Sequence, residues 1–225
     1  MKATHKLVLI AGILGASALS SMGAMITVQN SSFENPALAE GAITLHQTPP
    51  GVPNWTIAAA NNTVGIINLD EGGAGANPDF MGAADGLNVL WMNEGTATQA
   101  TGEIIAADTT YTLTVAIAHR NITGGQFAGE LPNTYLIELL AGGTPIASSS
   151  TPATSGTAWQ DSVATVDILA GSPHIGQTLS IRFSVGGPQP LFDNVRLDGS
   201  PVPEPASLML ASLGVFLLYR RRKPA

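Results

Sequence analysis

Asp193, in the stretch PLFDNVRLDG near the end of the chain, is the residue whose type and position say most about chemistry. It shares strand parity with Leu191, Val195 and Leu197, so a strand here turns it toward the core, with Phe192, Asn194 and Arg196 facing the other way. A buried carboxylate needs a hydrogen-bonded partner, a cation or a metal. Glu34, in VQNSSFENPAL near the start of the body, approaches Asp193 if the first and last strands meet. Two carboxylates and nearby backbone carbonyls make a hard oxygen site suited to Ca²⁺. The competing reading is a hydrogen-bonded Asp at a strand end.

Other polar and aromatic residues offer weaker signals. Trp55 and Trp159 lie beside turn-rich stretches and are expected at the surface, where their rings can stack on sugars; Trp91 follows an apolar run and is expected in the core. His46, His119 and His174 have no metal-ligand spacing, and neither G-x-S-x-G nor H-E-x-x-H occurs. Asp70, Glu71, Asp79 and Asp85 crowd a Gly-rich stretch without the D-x-D-x-D-G spacing of a calcium loop and read as solvated acids. With no catalytic constellation, the expectation is a non-enzymatic protein.

The 225 residues carry 16 acids against nine Lys and Arg, and no cysteine, which removes disulfides, thiolate metal sites and cysteine nucleophiles. Six of the nine cations lie at the extreme ends of the chain. Between residues 25 and 202 only Arg120, Arg182 and Arg196 face fifteen acids. A body so acidic and lysine-free lacks the clustered cations that bind phosphate, which excludes nucleic acid as a partner.

The ends read as addresses. Lys2 and Lys6, an apolar run from 7 to 19 and small residues up to Gly23 or Ala24 follow the layout of a secretory signal peptide, a helix removed on export. At the other end, Pro203-Glu204-Pro205 precedes the apolar run 206–219 and then Arg220, Arg221, Arg222 and Lys223. As a helix the run rises about 21 Å, short of the ~30 Å hydrocarbon core. The cations that follow stay cytoplasmic, so the body lies outside. This order of elements resembles the PEP-CTERM sorting tail of Gram-negative bacteria. The resemblance implies an exosortase as processing partner, transient residence in the inner membrane, and association with exopolysaccharide and biofilm at the cell surface or in the extracellular matrix.

Period-two alternation fills the body. Tyr111, Leu113, Val115 and Ile117 alternate with small or polar residues, as do Leu179, Ile181, Phe183 and Val185. Further strands are predicted at 26–29, 42–46, 64–69, 87–92, 135–140, 162–168 and 191–197, with Gly- and Pro-rich turns between them. The fold class is therefore all-β, an antiparallel sandwich, flanked by a signal helix (1–24) and a linker with a short apolar helix (201–225); the sandwich occupies 25–200. The opening N-x-S-F-E and the closing F-D-N-V-x-L resemble the first and last strands of galactose-binding-like jelly rolls, which include many carbohydrate-binding modules. That resemblance implies a structural calcium near Glu34 and Asp193. The functional expectation is an exported surface or matrix protein with exopolysaccharide as its ligand; the alternatives are a structural matrix component without a ligand and an enzyme of polysaccharide turnover.

Overall fold

The computed structural model describes residues 23–69, 82–119, 134–150, 158–187 and 189–202. The signal peptide and the sorting tail, with their predicted helices, lie outside the described residues. Among those described there is no helix, and none is long and apolar enough to cross a membrane.

The described residues form twelve strands: β1 (Ala24–Ile26), β2 (Ile43–Leu45), β3 (Thr56–Ala58), β4 (Val64–Asn68), β5 (Asn88–Met92), β6 (Gly95–Ile104), β7 (Thr109–His119), β8 (Tyr135–Ala141), β9 (Thr144–Ser149), β10 (Gln160–Ile168), β11 (Thr178–Val185) and β12 (Pro190–Pro201). They make two antiparallel sheets. One is ordered β10-β7-β12-β5-β4-β2, with β1 added beside β12; the other is β3-β6-β11-β8-β9. This is the expected sandwich. Alternation on β7 and β11 is as read: Leu113, Val115, Ile117, Leu179, Ile181 and Phe183 are buried, while Ser180 and Arg182 are partly exposed.

Strands β3, β6 and β9 escape sequence reading. β6 is GTATQATGEI, with no bulky residue until its end; its inward positions are Ala97 and Gln99. Gln99 is buried because it is a tie: its Oε1 accepts from the Gln29 amide at 2.7 Å, and its Nε2 donates to the carbonyls of Gln29 and Asn54. That polar brace fastens the N-terminal segment to the second sheet.

The sheets close over a column of rings. Phe33 lies 5.6 Å from Trp55, Trp55 stacks on Phe183 at 5.0 Å, and Phe183 stacks on Phe192 at 4.7 Å with the planes 2° apart. Tyr135 meets Phe192 edge-on at 6.0 Å. Each ring comes from a different element, so a chain with few aromatics spends five of them on one inter-sheet contact. Offset stacking adds to the burial of each ring.

Phe183 holds the centre of this column. Phe183→Ala should destabilise the body by about 3–5 kcal/mol, read as a lower midpoint in urea or guanidinium unfolding. A near-neutral result would mean that the column does not carry the core.

Candidate functional site

The last strand does not keep a single parity. Phe192 enters the aromatic core, whereas Leu191 belongs to a smaller apolar cluster on the other face of its sheet. The pairing of β12 with β7 then shifts register between Asp193 and Arg196, and Asn194 adopts φ 46°. This bulge inserts an extra residue and resets the alternation, so that Val195 and Leu197 face the core. The expectation that Asp193 points inward alongside Val195, with Phe192 outside, is therefore corrected. Asp193 is buried, 0% exposed, but under a loop on the other side of the strand.

That loop is the segment 84–88. Asp193 Oδ2 accepts from the Asp85 amide at 2.9 Å, Oδ1 accepts from the Asn194 amide at 2.7 Å, and the Ala84 amide also donates to the carboxylate. Burial pushes the Asp193 carboxyl up to about 7; the three amides pull it down and the neighbouring Asp85 charge pushes it up.

Glu34 reaches the same loop from the other end of the chain. Its Oε1 accepts from the amides of Leu87 and Asn88 at 2.9 and 2.8 Å. The opening motif builds this reach. Asn30 closes a turn through its side chain, with Oδ1 accepting from the Asn35 amide and Nδ2 donating to the Asn35 carbonyl. Phe33, at φ 55°, sends its ring into the core, and Glu34 follows on the surface. Such a φ is rare for a bulky residue and persists because the surroundings fix it. Gly86, at φ 75°, makes room: a Cβ there would lie 2.5 Å from Glu34 Oε1. Ser32 Oγ donates to Asp85 at 2.6 Å, and the Val195 amide donates to the Ser31 carbonyl.

Glu34 and Asp193 thus come together through the loop, each gripping neighbouring peptides of it. β1 and β12 do meet, pairing Ile26 with Leu197 and Ala24 with Gly199. Among the described residues no three His, Cys, Asp or Glu side chains group around a common metal position.

Trp55 is not the surface platform expected from its turn-rich neighbourhood. It is 7% exposed and sandwiched between Phe33 and Phe183, because residues 53–55 fold inward against β6 and β11. Trp159 is half-buried. Its Nε1 donates to the Gly82 carbonyl at 2.8 Å, and its ring packs on the outer cluster of Leu69, Val89, Trp91, Ala118 and Leu191. Trp91 lies in that cluster, against Gly65, where a Cβ would strike its indole and the Thr44 carbonyl. The sorting residues Pro203, Glu204, Pro205, Arg220, Arg221 and Arg222 lie outside the described residues.

One charged site went unread in the sequence. Arg182 and Glu138 are cross-strand partners on β11 and β8, joined in a two-pronged pair at 2.7 and 3.0 Å, with Ser184 donating to the same carboxylate. Glu138 is buried, and the guanidinium beside it holds its carboxyl below the ordinary range. The signal was present: Glu138 is a lone acid among apolar residues, at a parity that faces outward. A shallow cavity of about 490 Å³ opens elsewhere, between β1 and the end of β6, lined by Ile26, Thr101, Glu103 and Tyr111 among others.

A jelly-roll-like sandwich joined to a sorting tail is the class these features define, and the comparisons give it a family. The model of the HpiC1-like family, HpiC1 cyclase, matches residues 24–198, and the chain belongs to that family. The PEP-CTERM protein-sorting motif matches residues 201–223. The Stig cyclase Fisc from Fischerella sp. TAU, solved with (3Z)-3-(1-methyl-2-pyrrolidinylidene)-3H-indole, is 26% identical with a TM-score of 0.66, covering 80% of this chain and 99% of that chain. An apo cyclase from Fischerella sp. is 28% identical with a TM-score of 0.65, covering 80% and 97%. The carbohydrate-binding module TmCBM61, solved with β-1,4-galactotriose, is 15% identical with a TM-score of 0.47, covering 76% and 95%. No curated protein matches the chain. The sorting motif implies export and membrane-associated processing.

The raised Asp193 carboxyl sets a pH dependence. The folded chain holds this proton at a pH where the unfolded chain has released it, so this group's contribution to stability is present in acid and lost as pH rises toward about 7. Glu138, held low, contributes with the opposite sign, losing its contribution as pH falls. The readout is therefore the difference between wild type and Asp193→Asn in metal-free buffer. Asp193→Asn sets an amide N–H against a backbone N–H and should melt lower throughout. Its deficit should be largest in acid and shrink toward neutral pH. A constant deficit would remove the assignment.

Proposed function

We propose that this protein is an exported surface protein, sorted by an exosortase-type system, whose sandwich binds exopolysaccharide on the face around Trp159. The observation that carries the reading is the sorting motif, which begins at residue 201, the last residue of β12. The polysaccharide part rests on Trp159. It is partly exposed, its N–H is fixed to Gly82, and it packs against the outer apolar cluster. An indole held in one orientation offers a flat apolar face, as small-molecule sites commonly do, and loses little freedom on binding. The acidic body repels polyanions, so neutral chains suit this face.

Calcium belongs to the same proposal. Glu34 and Asp193 both hold the loop 84–88, and Asp85 adds a second negative charge beside Asp193. A divalent ion there would relieve that repulsion and tie the first motif to the last strand. Added calcium should then raise the melting temperature, and chelator should lower it. Identical melting curves for metal-free protein with and without calcium would leave the amides as the only partners of these carboxylates.

A second reading is a cyclase, favoured by a family match that spans nearly the whole body and by relatives solved with indole compounds. Affinity electrophoresis separates the readings. Gels containing neutral exopolysaccharide from biofilm should retard the wild type, and Trp159→Ala should lose most of the retardation. Equal mobility with and without polysaccharide, together with saturable binding of 4-(1H-indol-3-yl)butan-2-one in a fluorescence titration, would favour the cyclase.

A further inference from the structure

The sandwich has one end from which the chain leaves toward the sorting tail, and that end is tightly tied. β12 is paired with β7 up to Pro201↔Thr109, and the Val202 amide donates to the Asp108 carbonyl at 2.9 Å. Asp108 is the hub of this end. It turns the chain from β6 into β7 at φ 52°, and its Oδ1 accepts from the Ala170 amide at 3.1 Å, in the connection between β10 and β11. The tail therefore departs from a fixed point, beside two connections, 105–108 and 169–177.

These connections and the strand ends beside them present large apolar side chains to solvent. Leu169 is 57% exposed, Ile104 53% and Ile175 39%. Hydrogen bonds hold them in place: the Ile105 amide donates to the Gln177 carbonyl and the Gly176 amide to the Ile105 carbonyl, at 2.9 Å each. Between 101 and 109 and between 169 and 177 the sequence contains two acids, Glu103 and Asp108, one histidine and no Lys or Arg. Asp167 and Asp198 stand on the strands behind. This is a weakly charged apolar tip on an otherwise acidic body.

The length of chain beyond Val202 says what meets it. The apolar run begins at Ala206, four residues on, a reach of at most about 14 Å. The headgroup layer on one side of a bilayer is roughly 5–8 Å thick. An apolar run too short for the hydrocarbon core accommodates by thinning the bilayer or drawing its flanks toward the interface. One flank is the Arg cluster; the other is this tip.

We propose that, while the tail is in the membrane, the body stands on the bilayer on this end, with Ile104, Leu169 and Ile175 in the boundary between headgroups and acyl chains. The proposal rests on the reading that the tail inserts. The occupant of the tip is lipid, zwitterionic in preference to anionic because of Glu103 and Asp108.

The chain has no cysteine, so single labels are clean. The tail-bearing protein is reconstituted in phosphatidylcholine vesicles with a polarity-sensitive dye at Leu169→Cys, Ile175→Cys, Glu94→Cys in the β5–β6 turn at the opposite end, or Phe216→Cys in the tail. Labels at 169, 175 and 216 should shift to the blue and be quenched by bromolipids, with the label at 94 unchanged. Quenching at 216 with none at 169 and 175 overturns the docked tip while leaving tail insertion intact. Quenching at 94 equal to that at 169 overturns it too, since the body would then lie on its side. No quenching at 216 overturns the insertion reading and the proposal with it.

Discussion

The structure depends on how an acidic body nearly devoid of cations satisfies its carboxylates. Arg182 is committed to Glu138 and Arg196 to Asp161. Glu34 and Asp193 turn instead to backbone amides, and the segment 84–88 supplies them. An amide is a weaker partner for a carboxylate than a cation, but it is fixed in the chain, so accepting its hydrogen bond also fixes a fold contact. The first motif, the approach to β5 and the last strand are joined in this way at one place. Asp193 can be fully buried because amides converge on both its oxygens, and its raised proton affinity is the residual cost of that burial.

The same site marks how far the sequence could be read. Periodicity found the strands that carry large alternating side chains, such as β7 and β11, because burial of one face is what alternation encodes. It missed β6, where Ala97 and Gln99 do the inward work and Thr and Gly occupy the rest, leaving no hydrophobic rhythm. On β12 it found a real strand and a buried Asp193 but assigned the wrong neighbours. A bulge of one residue reverses every side chain after it. Nothing in FDNVRL announces that reversal apart from Asn194, a residue type that tolerates positive φ. Trp55 failed for a different reason. Turn residues around it predict a loop, but a loop can still send one ring inward when a gap between sheets needs filling.

Family membership and the sorting tail bear on different parts of the molecule. The family match ends at residue 198 and the sorting motif begins at residue 201. Relatives that share this sandwich carry ligands of their own, and a fold of this kind hosts unrelated functions. What the chain adds is the way the two parts are joined. A flexible linker would let the body tumble relative to the tail. On the body's side, the last strand is paired on both sides near its end, by β7 and β1, and the Val202 amide is latched to Asp108.

The place where β12 ends gives the faces of the sandwich a direction. Gln160, next to Trp159, pairs with Ile117 at one end of β7, whereas the exit of the tail pairs with Thr109 at the other. Eight residues of strand separate the two levels, roughly 26 Å at about 3.3 Å per residue. The outer aromatic cluster is thus far along the sandwich from the point of attachment, and the clamp at 84–88 lies between. Trp159 and its cluster lie at the opposite end of the sandwich from the exit of the chain at Val202. The strand that closes the core, β12, sets that orientation by where it starts and where it ends.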